Sequence, residues 1–314
     1  MKHKQGFTLL ELLIVIGIIA VLAGVMLAQF SGSTDSALAA TCLNNMRTLC
    51  NAVMADGSRE SRYPSAGPYR YFKEGQDEAK EKPCRSGWIG YVDNDTYVPV
   101  SCYHDVGDKG ESQHHAITNG TIWRTMSGRS GAYVCPAHTK YCKQKKYPTP
   151  SWSYAMNSYF GWDNGSVAAD VETGRRSFGN GYVTFTYTSP PKSRKRPLEK
   201  VLLFAEIPYV KTGVQKPECS TAAGKENDAI LQYAPASNED KKANKSNGGA
   251  SEIIGFNHKS GKFYCAHVAF ADGHCEKLVM PNGAAEDNLK DLTTWLCTGV
   301  EYTFNGSQYE KVSE

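Results

Sequence analysis

A long apolar segment near the N-terminus constrains this chain more than any other feature. Residues 7–30 read FTLLELLIVIGIIAVLAGVMLAQF and contain one charged side chain, Glu11. As an α-helix the segment would be about 36 Å long, against a bilayer hydrocarbon core of about 30 Å. The leader before it, MKHKQG, is short and basic, so the positive-inside rule leaves it in the cytoplasm and sends the remaining chain outward. The sequence therefore predicts a membrane-spanning helix at the N-terminus.

The position of a small residue separates this segment from an ordinary signal peptide. A secretory signal has an apolar stretch of about 7 to 15 residues followed by its cleavage site, whereas here Gly6 precedes the apolar run. A plain membrane anchor does not account for Glu11, because a carboxylate inside an apolar helix costs about 2.5 kcal/mol or more. We therefore expect Glu11 to have a polar partner.

The residues around Gly6 form a recognisable motif, in which the basic leader is followed by FTLLE at residues 7–11. This motif resembles the N-terminal signature of the type IV pilin and type II secretion pseudopilin superfamily. The resemblance implies that a prepilin peptidase cuts between Gly6 and Phe7 and methylates the new α-amine of Phe7. It also implies that Glu11 is the assembly residue, whose carboxylate faces the Phe7 ammonium of a neighbouring subunit and sets the axial register.

The same resemblance implies a location and a set of partners. The chain would be a single-pass protein of the bacterial inner membrane with a periplasmic head, which then enters a periplasmic pseudopilus or a surface filament. Its partners would be a prepilin peptidase, other pilin-like subunits, and the assembly platform and ATPase of the machinery. Nucleic acid is not an expected partner, because the net charge of +3 falls to +1 once Lys2 and Lys4 leave with the leader.

The role expected from this resemblance is structural and not enzymatic. The sequence has no nucleophile elbow, phosphate-binding glycine loop, zinc-protease helix or kinase signature. The alternative is a membrane-anchored surface-binding protein, because 18 Tyr and 5 Trp could stack against a polysaccharide or another ligand. Aromatic side chains exposed on one concave face would favour binding, and their burial would favour the structural role.

The sequence after residue 30 predicts an α+β fold. A stripe of apolar residues with helical spacing continues the helix, which is expected to end at Asp56-Gly57 and to cover an antiparallel β-sheet head with long loops. The stripe consists of Leu38, Cys42, Met46, Leu49 and Val53. The predicted segments are a leader at 1–6, a transmembrane and assembly helix at 7–30, its amphipathic continuation at 31–56, and a periplasmic β-rich head at 57–314. Strands are predicted at 88–92, 97–103, 132–135, 182–188, 201–206, 263–271 and 274–278, with an exposed loop at 219–249.

Five short segments resemble a subgroup of pilin-like proteins whose processing-associated domain ends in a histidine, a nine-residue spacer and Asp-Gly. They are CLNN at 42–45, YVCP at 133–136, SYAMN at 153–157, VLLFAE at 201–206 and FADGH at 270–274. The match is imperfect, because thirteen residues separate His258 from Asp272. Asp272-Gly273 also predicts a hairpin with a type I′ turn. His258, Asp272 and His274 are a weaker candidate for a metal or subunit contact.

Ten cysteines indicate an oxidising compartment, where disulfides are expected without a defined connectivity. Cys42 and Cys50 cannot pair with each other, because they would lie about 12 Å apart along the helix. Zinc is the rival to disulfides, since Cys135, His138 and Cys142 have a spacing that zinc uses. The sequence favours disulfides.

No cofactor is predicted, although calcium is possible. Major pseudopilins of type II secretion often hold a calcium ion in a C-terminal loop, and calcium needs six to eight oxygen ligands. The candidate ligands are Asp93, Asp95, Asp163 and Asp272. Each of them lies in a sequence that a turn explains more readily.

Overall fold

A computed structural model describes residues 9–60, 63–64, 66, 87–89, 117–147, 149–157, 160, 198–213, 229–231, 253–299 and 301–312. The helices are α1 (Leu9–Glu60), α2 (Pro136–Lys145) and α3 (Glu286–Thr298), with 3-10 turns at Ser130–Tyr133 and Leu198–Lys200. The strands are β1 (Tyr154–Asn157), β2 (Leu202–Glu206), β3 (Ile230–Leu231), β4 (His258–Ser260), β5 (Phe263–Phe270), β6 (Cys275–Val279), β7 (Tyr302–Phe304) and β8 (Tyr309–Lys311).

Helix α1 is one continuous helix of 52 residues, about 78 Å long at 1.5 Å per residue. The predicted apolar stripe is confirmed as its buried face from residue 42 onward, with Cys42, Met46, Leu49 and Val53 fully buried, whereas Leu38 is half-buried. The predicted end at Asp56-Gly57 is wrong, because α1 continues to Glu60. A glycine inside a helix costs only about 1 kcal/mol, and burial of this turn outweighs that cost.

The N-terminal predictions fall only partly on the described residues. Gly6 and Phe7 lie outside them. Within the part of the chain that the structure describes, no helix is both long and apolar enough to cross a bilayer. A membrane-spanning helix, which was part of the predicted fold, is therefore not confirmed.

Helix α1 packs on a six-stranded sheet. The strand order is β3-β1-β2-β5-β4, with β6 also pairing with β5. Every pair in this sheet is antiparallel except β1 with β3. Strand β4 pairs with the first three residues of β5 and β2 with its last three, so β2 and β4 share one edge of β5 while β6 occupies the other. The predicted α+β arrangement of a helix on an antiparallel sheet is confirmed, and the end of β2 comes close to the start of β4.

The strand predictions have mixed outcomes. Those at 201–206, 263–271 and 274–278 are confirmed as β2, β5 and β6. The strand at 132–135 is wrong, because this stretch forms a 3-10 turn and then the cap of α2, where Pro136 at the first helical position fixes the start. The predictions at 97–103 and 182–188 lie outside the described residues, as does most of 88–92, of which Trp88 and Ile89 form a bend.

Part of the predicted exposed loop is instead in the core. Within 219–249 the structure describes residues 229–231, where Ala229 is buried and Ile230–Leu231 form β3. Strand β3 pairs in parallel with β1, a pairing that links segments about 75 residues apart and has no local sequence signal. The rest of the predicted loop lies outside the described residues.

The hairpin predicted at Asp272-Gly273 joins β5 to β6. Gly273 has φ of +93° and its N–H donates to Phe270 O, while Phe270 N–H donates to His274 O. Asp272 has negative φ, so the turn is type I followed by a left-handed glycine bulge, and the predicted type I′ geometry is wrong. A Cβ at Gly273 would lie 3.3 Å from Met54 Sδ, so the turn packs against α1.

Candidate functional site

A cluster of buried polar side chains lies between α1 and the sheet. We refer to Cys42, Cys135, Glu206 and His258 as the buried cluster. One sulfur, nitrogen or oxygen atom from each of the four lies within 4.8 Å of the others. All four side chains are at most 4% exposed. Such a group is unusual in a core, where polar atoms carry a desolvation cost.

Each member of the buried cluster comes from a different part of the fold. Cys42 belongs to the buried stripe of α1, and His258 opens β4. Glu206 ends β2, a strand whose five residues are all buried. Cys135 is the residue before α2, held in an extended conformation ahead of Pro136. The pairing of β2 and β4 along one edge of β5 brings Glu206 and His258 together.

Glu206 is the centre of the hydrogen bonding. Its Oε1 accepts a bond from Cys42 Sγ at 2.7 Å and lies 2.9 Å from both His258 Nε2 and His267 Nδ1. Its Oε2 accepts a bond from Asn257 Nδ2 at 3.1 Å. Because a buried carboxylate is stable only when its oxygens are paired, these four groups are what allow Glu206 to lie in the core.

Two tyrosine hydroxyls lie against the sulfurs. Tyr209 OH is 3.6 Å from Cys135 Sγ, and Tyr154 OH is 3.3 Å from Cys42 Sγ and 3.4 Å from Cys42 O. Burial is the largest of the effects that raise the pKa of each tyrosine well above its usual value. Both hydroxyls therefore stay protonated and can donate towards sulfur.

The electrostatics favour the ionised forms of three members of the buried cluster, but not of Cys42. Burial alone would raise the pKa of Glu206, but the charge and hydrogen bond of His258, together with the His267 bond, hold it well below its usual range. Burial would lower the pKa of His258, which the Glu206 charge raises instead to about 11. Burial would raise the pKa of Cys135, yet its interactions with Cys42 and His258 lower it to about 6. Burial raises the pKa of Cys42, whose S–H donates to Glu206 Oε1, well above its usual value.

A close backbone approach fixes the surroundings of Glu206. The Gly255 N–H donates to Glu206 O at 2.7 Å. A Cβ at Gly255 would lie 2.5 Å from both Asn257 Nδ2 and Ile207 O, closer than any side chain tolerates. Asn257 Oδ1 in turn accepts a bond from Tyr209 N–H at 3.1 Å. Because residue 255 is a glycine, the Asn257 side chain fits beside it and hydrogen-bonds to both the Glu206 carboxylate and the Tyr209 N–H.

The buried cluster is not arranged as a nucleophilic active site. In a catalytic triad the two ring nitrogens of histidine serve different partners. Here one atom, His258 Nε2, lies 3.6 Å from Cys135 Sγ and 2.9 Å from Glu206 Oε1. Cys135 is also fully buried, so a substrate cannot reach its sulfur.

The zinc set of Cys135, His138 and Cys142, which the sequence offered as the rival to disulfides, does not form. His138 Nδ1 lies 2.9 Å from Ser153 Oγ, and its ring stacks on Tyr209 with centroids 4.1 Å apart. Cys135 and Cys142 are separated by about 10 Å of helix rise. The structure has no disulfide among the described cysteines, which are free thiols. These are Cys42, Cys50, Cys135, Cys142, Cys265, Cys275 and Cys297.

The other candidate residues are scattered. Asp272 Oδ1 lies 2.5 Å from His274 Nδ1, and His274 Nε2 lies 3.4 Å from Glu276 Oε1. His258 belongs to the buried cluster, so the structure does not bring it together with Asp272 and His274. Glu11 lies on the exposed N-terminal part of α1. Asp93, Asp95 and Asp163 lie outside the described residues.

Sequence reasoning named the members of the buried cluster without joining them. Cys42, Cys135 and Glu206 stand in three of the short segments quoted above, CLNN, YVCP and VLLFAE, and His258 was singled out as the motif histidine. The available signal was therefore that several recognisable segments each contain one metal-ligand residue type. Their convergence depends on strand pairing, which the sequence does not give.

Comparison with known proteins bears on the N-terminus. Residues 1–27 match the family model described as the prokaryotic N-terminal methylation motif. The chain carries a prepilin-type cleavage and methylation motif. This motif implies a type IV pilin-like or pseudopilin-like protein that is processed by a prepilin peptidase. It also implies that the N-terminal helix anchors the protein in the inner membrane before pilus machinery assembles it. Pilin-like proteins of this kind are usually not enzymes.

The rest of the chain has no counterpart in the comparisons. The match ends at residue 27 and does not support the subgroup to which the five short segments point. No curated protein and no solved structure matches the chain. The head must therefore be interpreted from its own geometry.

Proposed function

We propose that this protein is a pseudopilin, a structural subunit of a type II secretion or type IV pilus-like filament. In this proposal a prepilin peptidase cuts after Gly6 and methylates Phe7. The observation that carries it is the methylation motif at residues 1–27, at the start of a single long helix. The N-terminal part of this helix is exposed, and its C-terminal part is buried against the head.

The N-terminal part of α1 exposes its apolar side chains. From Leu9 to Leu22 the large apolar residues are between 47% and 82% exposed. Further along the same helix, Met46 and Leu49 are fully buried against the head. A contiguous exposed apolar surface marks an interaction site. The proposed occupants are lipid before assembly and the helices of neighbouring subunits afterwards.

Glu11 is the carboxylate within this apolar part of α1. In a filament of packed helices its charge needs compensation, and the α-amine that cleavage creates on Phe7 of a neighbouring subunit would provide it. A single charge pair in an apolar helix bundle also selects one axial register, which apolar packing alone does not. This is the role that we propose for Glu11.

The burial of five large aromatic side chains favours the structural role over ligand binding by the head. Trp88, Trp152, Tyr133, Tyr154 and Tyr209 are at most 1% exposed. Stacking on a sugar requires an accessible ring face. In the described part of the head, these rings belong to the core.

Intact-mass analysis of the membrane-extracted protein tests this proposal. Expression with a prepilin peptidase should remove residues 1–6 and add one methyl group, and expression without the peptidase should leave the full chain. Gly6→Ala should block cleavage. Gly17→Ala is a matched control, because a Cβ at this position meets nothing within 4 Å, and it should be processed normally. A full-length mass in the presence of an active peptidase would contradict the proposal.

A further inference from the structure

We propose that the buried cluster is a structural metal site that binds one zinc ion through Cys42, Cys135, Glu206 and His258. The four side chains offer two sulfurs, one carboxylate oxygen and one imidazole nitrogen, within 4.8 Å of one another. These are the donor types that zinc takes in proteins, and four protein ligands make a closed, structural site. The two sulfurs disfavour calcium and magnesium, which prefer oxygen ligands.

The spacing of the donor atoms suits a tetrahedral zinc ion. Bonds of about 2.3 Å to sulfur and about 2.0 to 2.1 Å to nitrogen or oxygen place neighbouring ligand atoms about 3.3 to 3.8 Å apart. Cys135 Sγ and His258 Nε2 are already 3.6 Å apart. Glu206 Oε1 is closer, at 2.7 Å from Cys42 Sγ and 2.9 Å from His258 Nε2. Small side-chain rotations would open these two contacts to the required distance.

A second layer of polar groups surrounds the four ligands. Tyr154 OH lies 3.3 Å from Cys42 Sγ, and Tyr209 OH lies 3.6 Å from Cys135 Sγ. His267 and Asn257 hold the two oxygens of Glu206. Outer groups of this kind orient metal ligands and stabilise their charged forms. A free thiol in a core behaves as a small apolar group and does not need them.

The charge of the site favours a divalent ion. Two thiolates and one carboxylate carry three negative charges, and a neutral histidine adds none, so a divalent ion reduces the net charge to minus one. The surrounding hydroxyl and amide donors can offset that remaining charge. Without an ion, the Glu206 carboxylate depends on its neighbouring side chains for compensation. A bound divalent ion would compensate the carboxylate and the sulfur ligands directly.

A zinc ion here would tie together four separate parts of the fold. Cys42 lies on α1, Cys135 before α2, Glu206 at the end of β2 and His258 at the start of β4. The ion would therefore fasten the long helix to the head at the point where α1 enters the core. This role does not depend on the filament that the protein enters.

A disulfide between Cys42 and Cys135 is the rival, because their sulfurs also lie within 4.8 Å of each other. This disulfide would use both sulfurs as its bonded atoms and leave only one carboxylate and one imidazole to bind a metal ion. Zinc binding and this disulfide are mutually exclusive, which makes the test decisive.

The first measurement is the metal content of the full-length wild-type protein. The protein is extracted from membranes in detergent, isolated through an affinity tag without histidine, and kept free of added metal and reductant. Elemental analysis should find about one zinc ion per chain. After removal of zinc with a chelator, cobalt(II) should bind at about one equivalent. Its absorption should show the intense visible bands of tetrahedral cobalt and the near-ultraviolet charge-transfer band of cobalt-thiolate bonds.

Substitutions then identify the ligands. Cys42→Ser, Cys135→Ser and Glu206→Gln should each weaken zinc binding by at least about 100-fold, more than is typical for outer groups. Cys142→Ser is the matched control, because Cys142 is a buried cysteine on α2 outside the buried cluster, and it should keep both the zinc and the cobalt spectrum.

The proposal is overturned if wild-type protein contains only trace zinc and its metal-free, reduced form gives no cobalt-thiolate band. It is also overturned if digestion of the unreduced protein yields a Cys42–Cys135 disulfide-linked peptide in stoichiometric amount. Both results come from the wild-type chain, so they stand even where a substituted chain does not fold. Neither depends on leader cleavage, so failure of this inference and failure of the proposed function are separate outcomes.

Discussion

At the scale of single residues, His138 is a fully buried imidazole that the fold keeps neutral. Its Nδ1 lies 2.9 Å from Ser153 Oγ and its ring stacks on Tyr209. Burial lowers the pKa of His138 to about 3, whereas an unfolded chain has a histidine pKa of about 6.5. As the pH falls, the unfolded state therefore binds the proton before the folded state does.

We predict that the stability contributed by His138 is complete above about pH 6.5 and is lost as the pH falls towards 3. The slope is up to about 1.4 kcal/mol per pH unit. The free energy of unfolding, measured by denaturant titration from about pH 7 to about pH 4, should fall less steeply in His138→Asn than in wild type. Gln144→Ala is the control, because Gln144 is an exposed, uncharged residue on the same helix as His138, and it should retain the wild-type slope. Identical slopes for wild type and His138→Asn would contradict the prediction.

His138 also shows why local spacing was a poor guide to the site. It was grouped with Cys135 and Cys142 because the three lie within eight residues. His138 lies on α2 and pairs with Ser153 Oγ, whereas Cys135 precedes the helix and lies against His258. The residues that do meet Cys135 come from distant parts of the chain, with His258 separated from it by 123 positions. Residue types that bind metals could be recognised from the sequence, but their grouping could not.

At the scale of elements, the buried face of α1 attaches the helix to the head. Leu49 lies on this face and is fully buried. We predict that Leu49→Ala lowers the free energy of unfolding by about 2 to 5 kcal/mol, because it leaves a cavity between α1 and the sheet. Thr41→Ala is the matched control on the same helix. Thr41 is exposed and its hydroxyl donates to Ala37 O. Its substitution should therefore change the free energy of unfolding by no more than about 0.5 kcal/mol.

Denaturant unfolding of the detergent-extracted protein, followed by tryptophan fluorescence, measures both variants. Trp88 and Trp152 are fully buried and report on the core directly. Equal stability of Leu49→Ala and Thr41→Ala would mean that the C-terminal part of α1 is not a component of the core.

Elements with a strong apolar pattern could be predicted from the sequence. The stripe of α1 and the apolar runs of β2 and β5 are of this kind. Helix α2 could not, because His138 and Cys142 are its only buried residues and no apolar stripe exists within it. Helix α3 was missed despite a usable signal, since Leu289, Leu292 and Leu296 have helical spacing and Gly299 ends the helix in a left-handed conformation.

At the scale of the whole molecule, pairing between distant segments decides the architecture. Strands β2 and β4 share one edge of β5, and β3 joins the sheet in parallel. The pairings of β2 with β5 and of β3 with β1 have no local signature, because each joins segments tens of residues apart. The buried cluster likewise has no local signature, because the fold brings its members together from distant segments. The N-terminal motif differs, because its residues are contiguous in sequence and it could be recognised without the fold.

The motif is expected to serve two steps, processing and assembly, and a substitution at Glu11 can test them separately. We predict that Glu11→Ala is cleaved and methylated like the wild type, because Glu11 lies beyond the bond that is cut. Its assembly into filaments should fail, because the Phe7 ammonium of each neighbour would then be buried without a partner, at a cost of about 3 to 5 kcal/mol per subunit. Chemical cross-linking of intact cells, with filaments counted by electron microscopy, measures assembly, and intact mass measures processing.

Leu13→Ala is the matched control for this substitution. Leu13 lies in the same exposed apolar part of α1 and is 61% exposed, and its truncation removes apolar surface while leaving the carboxylate of Glu11 in place. Loss of apolar contact alone should weaken assembly only modestly, because one side chain is a small part of the helix surface. If Glu11→Ala and Leu13→Ala assemble equally well, the apolar surface sets the register without the charge pair. If only Glu11→Ala fails, the single carboxylate specifies how the long helices stack.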